Sequence, residues 1–242
     1  VILAYSLSMN IHNQDKTKLV NSVFNKVYKN YDLMNDLMSF GVHRFWKKNL
    51  ITWMNPQLGN KIIDVASGTG DLAKIISEKN DNQNIICCVE PNKGMLETGK
   101  EKLKSFSNIR WHLSSAEKLS FKDNSFDFYT ISYGIRNVTD INSSLKEAYR
   151  VLKPGGRFLC LEFSKVENEI LKLLYQKYSK IIPIFGKIIV GSAEPYEYLI
   201  SSIDKFYNQN ELSDLLKKNK FSNVQFRNLS SGISAIHSGW KI

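Results

Sequence analysis

Cysteine is scarce. Cys87, Cys88 and Cys160 are the three in 242 residues, all in apolar runs, and an odd number without a spacing pattern provides no disulfide framework. A reducing compartment and a packing role suit them. The four histidines, His12, His43, His112 and His237, lie too far apart to show a metal-ligand spacing, so no metal site is expected. With 13 glycines and 5 prolines, the chain is neither collagenous nor broadly disordered. No apolar stretch approaches the roughly 20 residues that a membrane-spanning helix needs. The segment Val1–Leu7 is apolar, but no basic stretch precedes it and it is short for a signal peptide, so the start is silent about targeting. A dense Lys/Arg run is missing too, although the net charge is +10. The cations are mostly lysines scattered through an Asn-rich chain. That argues against nucleic acid as the partner and suits an anionic lipid surface at least as well.

What is present suffices for a sizeable core: 43% of residues are hydrophobic and 12% aromatic, in a length that suits one domain. Phe24, Val27, Tyr28, Tyr31, Leu33, Leu37 and Phe40 recur mostly at three- and four-residue steps, which predicts amphipathic helix up to a stop at Gly41. The helical pattern resumes over His43–Met54, and Pro56 and Gly59 then punctuate the chain. Beyond them the rhythm changes. Lys61–Ala66, Asn84–Glu90, Ile109–Leu113, Phe126–Ser132 and Arg157–Phe163 predict strands. Helices are expected at Asp71–Asn80, Lys93–Phe106 and Ile141–Leu152, the last ended by a Pro154-Gly155-Gly156 turn. Strands alternating with helices imply right-handed βαβ units and a mainly parallel sheet. Helices at Glu167–Ile182 and Glu211–Asn219 follow, then two strands, Val224–Asn228 and Ile233–His237, close enough to pair antiparallel. The expected organisation is a helical extension over residues 1–58 that covers the active site, and one globular α/β unit over 59–242.

The densest chemical signal is the run Asp64-Val65-Ala66-Ser67-Gly68-Thr69-Gly70-Asp71. Glycines after a first strand let backbone approach a ligand, and open α/β sheets bind ligands at the carboxyl ends of their strands. Glu90 ends the next strand, where its carboxylate can accept two hydrogen bonds from a ribose diol. Gly68-x-Gly70-x-x-Ala73 with an acid about twenty residues on also satisfies a relaxed dinucleotide fingerprint. Against that reading, the loop lies well inside the chain, and Asp64 stands in the strand just ahead of the glycines. A carboxylate there suits a cofactor with a cationic amino-acid tail, such as S-adenosylmethionine, better than a pyrophosphate. Asp71 at the following helix start likewise disfavours a phosphate. Ser115-Ala116-Glu117 after the third strand and Ser132 at the end of the fourth face the same expected crevice.

Asp64–Leu72, Glu90, Ser132 and Leu152–Phe158 resemble the successive motifs of class I S-adenosylmethionine-dependent methyltransferases. Tyr31–Lys47 (YDLMNDLMSFGVHRFWK), Ile131–Asp140 (ISYGIRNVTD), Leu161–Lys165 (LEFSK) and Ser230–Trp240 narrow this. They are similar to the ubiquinone/menaquinone biosynthesis C-methyltransferases, a family that includes the mitochondrial 2-methoxy-6-polyprenyl-1,4-benzoquinol methylases, and the resemblance runs from about Val20 onward. It implies a Rossmann-like, seven-stranded, mainly parallel sheet with helices on both faces and an antiparallel C-terminal strand. It implies S-adenosyl-L-methionine as cofactor, with Asp64, Gly68, Thr69, Gly70, Glu90, Ser115, Ala116 and Ser132 at its site. Ser67 stands where many members have Gly, Glu90 where Asp is usual, and Ser115 where Asn or Asp is common. The implied substrate is a polyprenylated methoxy-benzoquinol, with a naphthoquinol as the alternative acceptor and a non-catalytic scaffold as the alternative role. Arg136 would stabilise the developing phenolate or hold a basic water, Asn137 would orient that water or a ring oxygen, and Tyr31 would close the ring site. The apolar run Ile181–Val190 is expected as a lid over the substrate tail, as a membrane contact, or as a helix end packed on the sheet. A homodimer or membership of a multi-enzyme complex is implied. So is peripheral attachment to the matrix side of the mitochondrial inner membrane for a eukaryotic source, and a cytoplasmic place otherwise.

Overall fold

The computed structural model describes residues 16–23, 25, 35, 36, 39 and 41–242, leaving out the side chains of 176, 180, 184–186 and 188–190. Among these residues seven strands form one sheet in the order β3-β2-β1-β4-β5-β7-β6. The strands are β1 (Lys61–Val65), β2 (Ile85–Glu90), β3 (Ile109–Leu113), β4 (Phe126–Ser132), β5 (Leu152–Phe163), β6 (Ser222–Leu229) and β7 (Ser234–Trp240). The first five pair in parallel, while β7 lies antiparallel between β5 and β6. From β1 the chain steps outward to β2 and β3, then returns to lay β4 on the other side of β1. That reversal opens a crevice at the carboxyl ends of β1 and β4.

The helices are α1 (His43–Met54), α2 (Asp71–Lys79), α3 (Lys93–Lys102), α4 (Ile141–Val151), α5 (Glu169–Val190), α6 (Glu194–Asp204) and α7 (Gln209–Lys218). From His43 onward the expected strands and helices are all present, most within a few residues of their expected bounds, and the two final strands pair antiparallel. Two boundaries differ, and one helix was not expected. Pro154-Gly155-Gly156 is not a free turn but the start of β5: Gly155 adopts φ +77°, its N–H donates to Lys241 O at 2.7 Å, and Lys241 N–H donates to Gly156 O at 2.9 Å. A bulge against Phe126–Phe128 absorbs the extra residues. The helix expected to stop at Ile182 runs through Pro183 to Val190, with Ile182 anchored in the core while Ile181 is exposed. Helix α6, with Pro195 in its first turn, carried no distinct signal among the motifs. The early periodic residues Phe24, Val27, Tyr28, Tyr31, Leu33, Leu37 and Phe40 lie outside the described residues.

Period-two alternation along the strands divides the core into two layers. Ile62, Ile86, Cys88, Leu159 and Leu161 face one side, where Trp46, Leu50, Ile51 and Met54 of α1 join Leu72 and Ile76 of α2 and Tyr196 and Leu199 of α6. Ile63, Cys87, Val89, Tyr129 and Cys160 face the other, packed on Leu145, Ala148 and Val151 of α4 and Leu212 and Leu216 of α7. All three cysteines are buried and unpaired, as core residues. Helix α1 is therefore as much a part of the core as α2. Leu50 is fully buried, so Leu50→Ala should cost about 2–5 kcal/mol of stability, measured as a fall in the urea midpoint at unchanged slope.

Candidate cofactor and active site

Two adjoining clefts occupy the crevice above β1 and β4, and both are walled by Ala66 and Tyr133. These residues follow the two strands directly and adopt φ +52° and +56°, values costly for a side chain and most of all for a buried tyrosine. The larger cleft, about 770 Å³, is lined by Gly68, Glu90, Asn92, Ser115, Ala116 and Asn137, among others. Thr17, Val20 and Asn21 of the helical segment 16–23 form a further wall. That segment is tied down by Thr17 Oγ1 with Thr139 Oγ1 at 2.7 Å, and by the Lys16 ammonium donating to Val138 O. The smaller cleft, about 350 Å³, is lined by Asp64, Ser67, Thr69, Ser132, Lys47 and Asp71.

Glu90 organises the larger cleft. Its two oxygens accept from Gly68 N–H and Asn92 N–H, each at 2.9 Å, so one carboxylate holds both the glycine loop and the residue that caps α3. Burial pushes the Glu90 carboxyl up to about 7, and the Asn92 and Gly68 amides offset part of that rise. Asp64 is buried beside it on β1, with Oδ1 accepting from Thr130 Oγ1 at 2.7 Å and Oδ2 without a partner. Burial also raises Asp64 to about 7, against the Thr130 hydroxyl and the Lys47 charge. The Ser132 hydroxyl is buried and unpartnered as well. Two orphaned acceptors in one polar cleft fit a ligand end that donates several hydrogen bonds, as an ammonium does. Asp71 behaves oppositely: burial opposes its ionisation, but Lys47 at 3.1 Å and Lys102 at 2.6 Å outweigh it and hold the carboxyl far below its usual range.

Of the expected cofactor residues, Asp64, Gly68, Thr69, Glu90, Ser115, Ala116 and Ser132 line the two clefts. Gly70 caps α2 at φ +84°, and a Cβ there would stand 2.6 Å from Leu103 Cδ1. Asn137 lines the larger cleft and accepts from the Tyr198 hydroxyl of α6 at 3.0 Å. Arg136 is buried and lines neither cleft: its Nη1 donates to Glu162 Oε1 at 2.6 Å and to Tyr133 O at 2.7 Å, while its Nε is unpartnered. Tyr31 lies outside the described residues. Lys47, Tyr133, Gly134, Glu162 and Tyr198 were not singled out from the sequence. Glu162 had a visible signal, being a lone acid within the apolar β5 run, and such a group must find a partner when buried.

A parallel sheet with this strand order, a glycine loop after β1, an acid ending β2 and unsatisfied acceptors between them define a class I methyltransferase. The family model described as the ubiE/COQ5 methyltransferase family matches residues 10–241, and the chain belongs to that family of S-adenosylmethionine-dependent enzymes. The chain is 51% identical over 235 residues to the ubiquinone/menaquinone biosynthesis C-methyltransferase UbiE of Rickettsia bellii, covering 94% of each chain. To the UbiE of Brucella suis it is 48% identical over 238 residues, covering 96% of this chain and 88% of that one. Among solved structures, a Thermotoga maritima methyltransferase described as a possible histamine N-methyltransferase superposes with TM-score 0.68 at 21% identity. That match covers 92% of this chain and all of the other, and it bears on the fold. The named relatives are bacterial and lend no support to the mitochondrial placement expected for a eukaryotic source. No described helix is long and apolar enough to cross a membrane.

A Cβ on Gly134 would stand 2.5 Å from Ala66 Cβ, at the seam where the two clefts meet. Gly134→Ala should therefore displace the β1 or β4 turn. Titration calorimetry with S-adenosylhomocysteine should show affinity reduced at least tenfold while the far-ultraviolet spectrum keeps its helix and strand content.

Proposed function

We propose that the chain methylates a ring carbon of a prenylated quinol, a methoxy-benzoquinol of ubiquinone synthesis, at the seam between these clefts. The observation that carries the reading is an apolar cleft separated from the cofactor clefts by a wall of packed aromatic rings. The Tyr133 ring lies 4.8 Å from Phe163, and Phe163 lies 6.3 Å from Trp46. Trp46 in turn lines an apolar cleft of about 750 Å³ between α1 and α5, with Val42, Leu171, Leu174, Tyr175 and Tyr178. A polar cleft for the cofactor and an apolar cleft reached by the same helix α1 match the two ends of such a substrate pair. A demethylmenaquinol-type naphthoquinol has the same parts and is the second acceptor in this reading. S-adenosylmethionine supplies an electrophilic methyl group with its leaving group attached, so the residues need only bind, orient and handle a proton.

In this reading Asp64 and Ser132 accept from the cofactor's ammonium, Glu90 from its ribose hydroxyls, and Ser115 and Ala116 border its adenine. Arg136, fixed by Glu162 and by the Tyr133 carbonyl, lies behind the seam rather than in a cleft and acts on a developing ring phenolate through its positive charge. Asn137, oriented by Tyr198, turns its amide to the same ring. Tyr31 closes the site from the N-terminal segment, which with residues up to 58 serves as its cover. Leu174 lines the apolar cleft and is exposed, as are Phe45, Ile170 and Leu173 on the same two helices, which suits peripheral contact with the bilayer that holds the substrate. Association with a second copy or with other enzymes of quinone synthesis completes the proposal.

The primary test incubates the protein with S-adenosylmethionine and a short-tailed reduced methoxy-benzoquinol, and reads one added methyl on ring carbon by mass. Absence of product with cofactor binding intact would move the proposal to the naphthoquinol acceptor. Arg136→Ala alone leaves Glu162 buried and unpaired, which should cost about 3–5 kcal/mol of stability. The double variant Arg136→Met with Glu162→Leu should recover most of that loss in denaturation yet turn over at least 100-fold more slowly. Leu174→Arg, at an exposed cleft residue, should raise KM for a long-tailed quinol and leave KM for a short-tailed one unchanged.

The raised carboxyls of Asp64 and Glu90 give a pH signature. Free protein binds protons there that the unfolded chain has lost, so its stability falls as pH rises from about 4 through 7. An ammonium and a diol favour the ionised forms, so S-adenosylhomocysteine binding at pH 6 should release protons. Calorimetry in buffers of different ionisation enthalpy reads the number, and none should be released at pH 9.

A further inference from the structure

Lys47 projects from α1 into the smaller cleft, and its side chain is only 8% exposed. A buried lysine is uncommon unless its charge is met. Its ion partner among the described residues is Asp71 Oδ2 at 3.1 Å, and that carboxylate is shared, since Asp71 Oδ1 holds Lys102 at 2.6 Å. Lys47 therefore holds a shared carboxylate rather than one of its own, and it has three N–H donors to place. Across the same cleft stand the unpartnered Asp64 Oδ2 and Ser132 hydroxyl. The cleft thus presents a cation beside an anion in a recess of about 350 Å³ that shares Ala66 and Tyr133 with the larger cleft. That pattern is complementary to an α-amino acid zwitterion and to neither of its charges alone.

We propose that Lys47 binds the α-carboxylate of the cofactor's amino-acid end, opposite the ammonium taken by Asp64 and Ser132. The assignment rests on the reading of this cleft as the amino-acid subsite. It gives α1 a direct part in holding the cofactor: the helix brings a charge that the sheet and its loops do not supply. Lys102 keeps Asp71 from competing, because an Asp71 paired with Lys47 alone would cancel the charge the carboxylate needs. Charge-assisted hydrogen bonds of this kind correspond to roughly 10- to 100-fold in affinity.

The test is calorimetric and does not depend on turnover. Dissociation constants are measured for S-adenosylhomocysteine, which carries the carboxylate and ammonium, and for 5′-methylthioadenosine, which lacks both. Lys47→Met should weaken S-adenosylhomocysteine roughly 10- to 100-fold and leave 5′-methylthioadenosine within about twofold, while Lys47→Arg should keep most of the affinity. Equal weakening of both ligands by Lys47→Met would mean that Lys47 only supports the fold, and no weakening of either would remove it from the site. Each result overturns the proposal. A further arm uses the unaltered protein, should the methionine variant fail to fold. Decarboxylated S-adenosylmethionine, which keeps the ammonium, should bind at least tenfold more weakly than S-adenosylmethionine; equal binding would overturn the proposal. Binding of 5′-methylthioadenosine with unchanged discrimination at Lys47 would refute the carboxylate assignment while leaving the cofactor assignment standing.

Discussion

A carboxylate shut away from water must be met by donors or give up its charge, and this molecule places three of them near the carboxyl ends of parallel strands of one sheet. Each is handled differently. Glu90 on β2 is met by two backbone amides, and in accepting them it shapes the glycine loop and the cap of α3 together. Glu162 on β5 is met by the Arg136 guanidinium, which locks the turn after β4 against its neighbouring strand. Asp64 on β1 is met on one side only, by Thr130. Glu162 is satisfied within the fold, Glu90 faces the larger cleft with acceptor capacity beyond its two amides, and Asp64 keeps one whole oxygen without a partner. The position of the cofactor cleft follows from which of the three remains incomplete.

The strained backbone belongs to the same arrangement. Ala66 and Tyr133 take positive φ at the ends of the two strands that flank the crevice, where the chain must turn sharply enough to keep the crevice open. Gly134 lets the two turns pass each other within contact distance. Tyr133 holds its conformation because its ring is packed on Phe163 and its carbonyl accepts from Arg136. The buried ion pair and the strained turn therefore support one another, in the manner expected of a site that is rigid before its ligands arrive.

Much of this was legible in the sequence because it is local. Strands such as Ile85–Glu90 and helices such as Ile141–Val151 follow from periodicity within a dozen residues, and glycines and acids at strand ends mark the cofactor loop. What escaped depends on pairs far apart in the chain. Lys47 looks like one more cation on an amphipathic helix until Asp71 is placed beside it, and Glu162 looks like an exception in an apolar run until Arg136 is placed on it. The Pro154-Gly155-Gly156 segment looks like a turn, since only its pairing with Lys241 draws it into the sheet. Tyr133 gives no local sign of its positive φ, because tertiary packing imposes that conformation. Tyr31 stays an inference from family resemblance alone.

Strand β7 is the latest of the seven in the chain, yet it sits inside the sheet between β5 and β6. During synthesis β5 is made some seventy residues before the partner that covers its outer edge. Until Ser234–Trp240 leaves the ribosome, that edge presents a row of unpaired amides and carbonyls beside strongly apolar side chains. The nascent protein is thus open to wrong strand partners for longer than a sheet whose last strand merely extends it. Its dependence on chaperones should follow from topology more than from net stability.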